Sequence, residues 1–378
     1  MIIAAYLSLL IFGLMDNFRG PFFSAQLSEF HLTEAKGAAI FGLTSVFASL
    51  SAAFGGPLLR RMGVAGLMNF SSLCMAGGFA VMALSPQWIV LLMGAALFGA
   101  GLGFASIAQN VAVAEYAPVL RRSQMMSGLH AMYALASAFA PGIAHGLLLA
   151  GWTWRQSFLM VSLLPASLGI IGFYWQHRTR LANLHNSKIT LLKLAWPHGM
   201  RLHVILFAFA TALYLLAEIS IGTRLVRWLE VVHQRTAAEG SLDLMWFFIA
   251  LFVGRTLTWR WAPSSAKGLK QILLLSILAG LCSLLWTLWS WPQAVILVGL
   301  SLGPFYPLAM AYARVRYHKH APQAFTMIIA MGSAVVVTMH FLIGWIADHY
   351  GLQMAMQVGP VGLLLCLFIL LFERDVRA

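Results

Sequence analysis

Two carboxylates, Asp16 and Glu218, stand inside long apolar runs, each followed at short distance by an arginine, Arg19 and Arg224. A carboxyl group taken out of water holds its proton more tightly, so such a residue can load a proton on one side of a barrier and release it on the other. The three-residue spacing puts Asp16 and Arg19 on one face of a helix, where they neutralise each other. Two readings follow for this pair. Asp16 is a proton site or hydrogen-bond acceptor with Arg19 as its charge partner or an anion contact, or the pair is structural and fixes the first apolar run. Glu218 has the same two readings, a proton carrier or an acid bonded to a neighbouring helix.

Other side chains in apolar surroundings can recognise a small molecule. Asn17, Gln109, Asn110 and Tyr306 offer donors and acceptors for hydroxyls and carbonyls, and Tyr133, Trp246 and Phe305 offer apolar walls. His130 and His340 carry rings that titrate near neutral pH, although a histidine among apolar neighbours also serves as a helix–helix hydrogen bonder. His145, His177, His185, His198 and His203 show no metal-ligand spacing with an acidic partner, so no metal and no cofactor is expected. Cys74, Cys282 and Cys366 each sit singly in an apolar segment, with no spacing for a disulfide, zinc or redox motif. No nucleophile and base stand together, which argues against an enzyme.

The elements that position these residues are set by composition. Of 378 residues, 61% are hydrophobic and 9% charged, and the mean hydropathy is +0.83, which makes lipid the main solvent of the chain. Apolar runs broken by polar turns give twelve predicted spans, near 3–25, 37–58, 64–84, 88–114, 125–149, 157–175, 203–226, 243–261, 270–289, 293–313, 324–347 and 353–372. The first run has no basic flank or small-residue cleavage site and reads as a span. The longest polar stretch falls after six spans, giving an amino-terminal bundle over 1–175, a connector over 176–202 and a carboxy-terminal bundle over 203–378.

The net charge of +13 is distributed by topology, and no nucleic acid is expected as partner. Arg60, Arg61, Arg121, Arg122, Arg178, Arg180, Lys188, Lys193, Arg201, Arg260, Lys267, Lys270, Arg314, Arg316, Lys319, Arg374 and Arg377 fall on alternate connections. Only Lys36, Arg155, Arg227 and Arg235 fall on the others. Basic loops face the cytoplasm, so both termini are expected there, in a multi-pass protein of the cytoplasmic (inner) membrane. In this register Glu218 comes about fifteen residues, roughly 22 Å, into span 7 and past the midplane toward the outside, with Arg224 nearer the outer surface. Arg255 and Glu115 then fall near cytoplasmic span ends, and Asp348 near the outer end of span 11.

Gly94, Gly99, Gly101 and Gly103 in span 4, and Gly299, Gly303 and Pro304 in span 10, let backbones approach or bend at corresponding places of two halves. Such paired weak spots mark repeat-built transporters. The run Gly56-Pro57-Leu58-Leu59-Arg60-Arg61-Met62-Gly63 resembles the G-x-L-A-D-R-x-G signature of the major facilitator superfamily, with Arg60 in place of the signature's acid. Gly151-Trp152-Thr153-Trp154-Arg155-Gln156-Ser157-Phe158 is similar to the G-W-R-W-x-F run between spans 5 and 6, and Gly344 to Gly351 to the family's G-x-x-x-D-x-x-G ending. The resemblance implies the major facilitator fold, an all-α protein of twelve transmembrane helices in two six-helix bundles. It also implies a gating role for Gly56, Arg60, Arg61 and Gly63, in which Arg60 cannot accept the bond that the family's acid makes; Arg255 and Asp348, like Glu115, read as gate or anchor residues from their places near span ends. Ala217-Glu218, Gly254-Arg255, Gly303 to Pro307 and His130 look most like the fucose-permease and sodium-glucose-transporter-like branch. Ser106 stands where that branch has an acid, so sugar specificity is not carried over.

The function expected from these features is secondary transport of a small solute by alternating access. A proton, or sodium in its place, is the coupling ion, the lipid bilayer is the surroundings, and the chain acts as a monomer. Abundant Met and Phe residues support a second reading, efflux of an amphipathic drug, siderophore or lipid-like compound. A membrane receptor is disfavoured, since no soluble output domain is present in the sequence.

Overall fold

The computed structural model describes residues 1–179, 200–261, 263 and 265–372, and those residues fold into helices and short connections. Twelve stretches among them are long and apolar enough to cross a membrane: Ile2–Glu29, Glu34–Phe54, Gly56–Leu84, Trp88–Tyr116, Gln124–Leu149, Trp154–Tyr174, Met200–His233, Ala237–Thr258, Ala266–Trp289, Pro292–Tyr317, Gln323–Tyr350 and Leu352–Phe372. They are spans 1 to 12 below. The chain divides into two compact units, Met1–Ile189 and Thr190–Ala378. Most of the expected connector, with Arg180, Lys188, Lys193, His185 and His198, lies outside the described residues, as do Arg374 and Arg377.

Each unit repeats one packing scheme. In the first, span 1 packs on span 5, span 2 on span 4, and span 3 on span 6; in the second, span 7 packs on span 11, span 8 on span 10, and span 9 on span 12. The glycines explain the closest of these pairings. A Cβ added to Gly99 or Gly103 of span 4 would collide with the carbonyls of Thr44 and Ala48 in span 2. One added to Gly299 or Gly303 of span 10 would collide with those of Phe247 and Leu251 in span 8. Without side chains at these positions the backbones meet directly, as in other membrane helix pairs rich in small residues.

Spans 1 and 10 are both interrupted at a Gly-Pro pair. Span 1 runs as a helix over Ile2–Phe18, turns at Gly20–Phe22 and resumes over Phe23–Glu29. Span 10 is a helix over Val295–Leu302 and, beyond Gly303 and Pro304, another over Phe305–Tyr317. Proline has no N–H to give the carbonyl four residues back, so the ladder is interrupted where Pro21 and Pro304 enter. Span 3 begins with a short turn carrying exposed Arg60 and Arg61 and breaks at Gly63, whose φ of 69° is in the left-handed region. No heavy atom lies within 4 Å of a Cβ there, so the backbone conformation alone demands glycine. Gly151 and Gly351 close spans 5 and 11 in the same way, at φ of 76° and 82°.

Span 7 is longer than expected, 34 residues from Met200 to His233. Glu218 is the nineteenth of these 34 residues, near the middle of the helix. Arg224 is 0% exposed, and the helix runs on for more than two turns beyond it.

Candidate functional site

Asp16 and Arg19 form the expected ion pair, through Asp16 Oδ1 and Arg19 Nη2. Arg19 is 5% exposed, and each of its nitrogens is occupied. Nη1 donates to Thr44 Oγ1 of span 2 at 3.0 Å, and Nε lies 3.4 Å from the Asp16 carbonyl. The guanidinium is flanked by the rings of Phe41 and Phe98, each 5.0 Å away, so span 2 and span 4 clasp it from two sides. Thr44 Oγ1 is in turn within reach of the Ile40 and Ala95 carbonyls, at 2.8 and 3.2 Å. A planar cation with this set of partners ties spans 1, 2 and 4 together at the break in span 1.

The same stretch of span 1 is bound to span 5. Tyr133 Oη donates to Asp16 Oδ2 at 3.1 Å, and Asn17 Nδ2 donates to Ser137 Oγ at 2.9 Å. Phe12 packs edge-on against the Tyr133 ring, centroids 5.7 Å apart. Asp16 keeps 26% of its side-chain surface accessible, so it faces open space that Arg19 does not reach.

In the second unit Glu218 is paired with Arg255. Arg255 Nη2 lies 2.9 and 3.1 Å from the two carboxylate oxygens, and Tyr214, one turn before Glu218, hydrogen-bonds Oε2. Arg255 was expected near a cytoplasmic span end as a gate or anchor, and Glu218 toward the outside. The pair shows that both sit at one level of the bundle. Tyr214 Oη also lies 3.1 Å from the carbonyl of Leu302, the last residue before the break in span 10, and its ring stacks on Phe305 at 4.4 Å. This cluster joins spans 7, 8 and 10, the counterparts of the spans that Arg19 joins.

The remaining sequence candidates divide by placement. Gln109 is 1% exposed and donates from Nε2 to Ser8 Oγ at 2.7 Å, fastening span 4 to span 1; Asn110 donates to the Ser106 carbonyl of its own helix at 2.7 Å. His340 is buried in span 11, whereas His130 is exposed on span 5. Trp246 is 45% exposed, Tyr306 is half-buried and Phe305 is buried. Asp348 is exposed near the end of span 11. Among the described residues, no group of three His, Cys, Asp or Glu could hold a metal ion.

Sequence reasoning missed Tyr214, Thr44 and Ser137. Each lies a whole number of helical turns from a partner or across a helix pair, and a Tyr four residues before an intramembrane Glu is the one signal that was available. It also missed how the run after span 5 works. Arg155 binds Glu29 through Nε at 2.7 Å and donates to the carbonyls of Ala83 and Ser85 at 2.6 and 2.7 Å, while Trp154 Nε1 donates to the same Glu29. One cation thus closes the ends of spans 1, 3 and 6.

A family model described as Major Facilitator Superfamily matches residues 5–325. Comparison with curated proteins gives no match. Among solved structures, the fold is similar to that of a bacterial homologue of the human lysosomal transporter Spinster in an inward-facing, occupied conformation, at a TM-score of 0.73 and 13% identity, over 98% of this chain and 96% of that one. It is similar to the peptide transporter POT in complex with sulfate, at a TM-score of 0.75 and 15% identity, over 98% and 93%. It is also similar to a D-xylose–proton symporter, at 0.71 and 15%, over 99% and 97%.

Proposed function

The chain belongs to the major facilitator superfamily, and from that premise we propose that it is a secondary active transporter that moves a small solute across the cytoplasmic membrane by alternating access, coupled to protons through Glu218. Basic residues on every second connection support cytoplasmic termini. Placement near the fucose-permease branch rests on the short runs around Glu218, Arg255 and Gly303. A D-xylose–proton symporter of similar fold is in keeping with proton coupling.

The observation that carries the reading is that the Glu218–Arg255 pair spans two helices and touches the break of a third. Coupling requires that a proton alter the contacts between moving elements, and protonating Glu218 weakens the bond between spans 7 and 8. The phenol of Tyr214 has one hydrogen for two acceptors, Glu218 and the Leu302 carbonyl, so a change at the acid is felt at the Gly303–Pro304 break. Asp16 and Arg19 lie three residues apart in span 1, so their ion pair does not itself join two spans; Tyr133 of span 5 and Thr44 of span 2 make those links. In this reading Arg19 holds Asp16, Asn17 and Tyr133 in place for solute contact.

The test is reconstitution into liposomes with a pH-sensitive dye inside, while candidate solutes are added outside. Wild type acidifies the lumen when its solute is supplied, and Glu218→Gln does not. Solute-driven proton movement that persists in Glu218→Gln overturns the assignment.

A further inference from the structure

The two buried arginines differ in what they have left to offer. Arg19 has every nitrogen engaged, both faces covered by Phe41 and Phe98, and 6% of its side chain accessible. Arg255 spends Nη2 on Glu218, also interacts with Tyr214, has a buried Nε with no hydrogen-bond partner, and keeps 23% of its side chain accessible beside a Glu218 that keeps 13%. A guanidinium presents its donors as a fork matched to two oxygens, and Arg255 meets both Glu218 oxygens through one nitrogen, Nη2.

Charge balance then sets the solute class. With Glu218 ionised the pair is neutral and the site needs nothing more. When Glu218 takes a proton it becomes a neutral acid, and Arg255 is left as an uncompensated cation within the membrane, a costly state. The titratable groups that act on Glu218 are Arg255 from span 8, Tyr214 on its own span and Tyr306 from span 10. Span 12 carries no Asp, Glu, Lys, Arg or His, and the ionisable residues of span 11 are His340, Asp348, His349 and Tyr350. Neither Tyr214 nor Tyr306 supplies a negative charge in its ordinary phenolic form.

We propose that the transported solute is a small anion, a carboxylate or an inorganic oxyanion, whose oxygens bind the Arg255 guanidinium in place of the Glu218 carboxylate when Glu218 is protonated. The inference rests on Glu218 being the proton site. It explains why proton and solute load together: each alone leaves an unpaired charge, and the two together restore neutrality. One proton enters with one monoanion, so transport is electroneutral. No covalent step is involved.

The experiment uses the full chain in detergent and in liposomes, with acetate, benzoate, inorganic phosphate and sulfate as probes and D-ribose as the neutral control. In thermal-shift titrations at neutral pH, at least one anion stabilises Glu218→Gln at a concentration about tenfold lower than wild type requires, because the competing carboxylate is gone. Arg255→Gln loses the response, Arg255→Lys keeps a weakened one, and D-ribose has no effect. In liposomes, uptake of that anion follows the pH gradient, and uptake of a monoanion, acetate or benzoate, is unchanged when the membrane potential is set with potassium and valinomycin, because one proton balances its single charge. Stabilisation of Glu218→Gln by D-ribose equal to that by the anions, or by none of the five, overturns the anion proposal. A pH dependence of anion binding that survives in Glu218→Gln overturns Glu218 as proton site instead, and leaves the anion response to Arg255 as a separate result.

Discussion

Arg255 reaches Glu218 through a single nitrogen, Nη2, at 2.9 and 3.1 Å from the two carboxylate oxygens, and the bond runs between spans 7 and 8 beside the broken span 10. Its counterpart in the first unit, Asp16 with Arg19, lies within span 1 beside that span's own break. Each unit thus keeps an acid, an arginine and a tyrosine at a Gly-Pro interruption, and the acid–arginine bond crosses between helices in the second unit and stays within one span in the first.

Removing one member of the inter-helix pair leaves the other charge buried alone. Arg255→Gln should cost about 3 kcal/mol or more of stability, on the scale of broken buried pairs. The double variant Arg255→Gln with Glu218→Gln should recover much of that loss, since no unpaired charge remains. Thermal unfolding of the four proteins in detergent measures the cycle; a double variant no better than Arg255→Gln would show that the two side chains are not a coupled pair.

Arg19→Lys should destabilise the first unit although the charge is kept. An ammonium cannot reach Asp16 and Thr44 at once while lying flat between Phe41 and Phe98, so a planar stack and a hydrogen bond are lost together, about 2 kcal/mol in sum. Unfolding in detergent reads the loss. If Arg19→Lys unfolds at the wild-type temperature, the clasp by spans 2 and 4 contributes nothing.

The pH dependence has a definite sign. In the proposed cycle the loaded state carries Glu218 as the neutral acid, so lowering the outside pH should raise the rate of solute entry, and raising it should slow entry as the Glu218–Arg255 bond re-forms. In Glu218→Gln this limb of the profile should be flat. Initial rates of counterflow across a series of outside pH values check it, and a profile in Glu218→Gln that matches wild type would move the titrating group elsewhere.

The clasp at Arg155 gives a prediction at the opposite kind of site. Its partners are the Ala83 and Ser85 carbonyls at the end of span 3 and the Glu29 carboxylate at the end of span 1. Arg155→Ala leaves those acceptors to water, and because the group is partly exposed the cost should stay near 1–2 kcal/mol. Hydrogen exchange at residues 26–32 and 82–88 should quicken while exchange around Arg19 is unchanged.

Spans were legible because lipid imposes about twenty apolar residues on each, a constraint written in consecutive sequence. The expected start of span 3 at residue 64 falls just after the kink at Gly63, although the helical stretch itself begins at Gly56. The pairing of Asp16 with Arg19 was legible because both lie on one helix. The pairing of Glu218 with Arg255 was not: it depends on how span 7 is set against span 8. Gln109 has the chemistry of a recognition residue, but its burial against Ser8 is a property of helix packing that no spacing in one chain reveals. Sequence named the residue types at the site better than it named their partners.

The repeated glycines test whether the two units share one packing logic. A methyl group on Gly99 collides with the Thr44 carbonyl, and one on Gly299 collides with the Phe247 carbonyl; in both cases the obstacle is backbone, which cannot swing aside. Gly99→Ala and Gly299→Ala should therefore each cost about 1–3 kcal/mol, as overpacking does. Gly99→Ala should carry an added effect, because moving Thr44 stretches its bond from Arg19. Gly146, exposed in span 5 with no heavy atom within 4 Å of an added Cβ, is the matched control. Gly146→Ala should gain a few tenths of a kcal/mol from helix propensity. Unfolding temperatures of the three variants decide the point, and equal behaviour of all three would mean that the backbone contacts of spans 4 and 10 carry no packing energy.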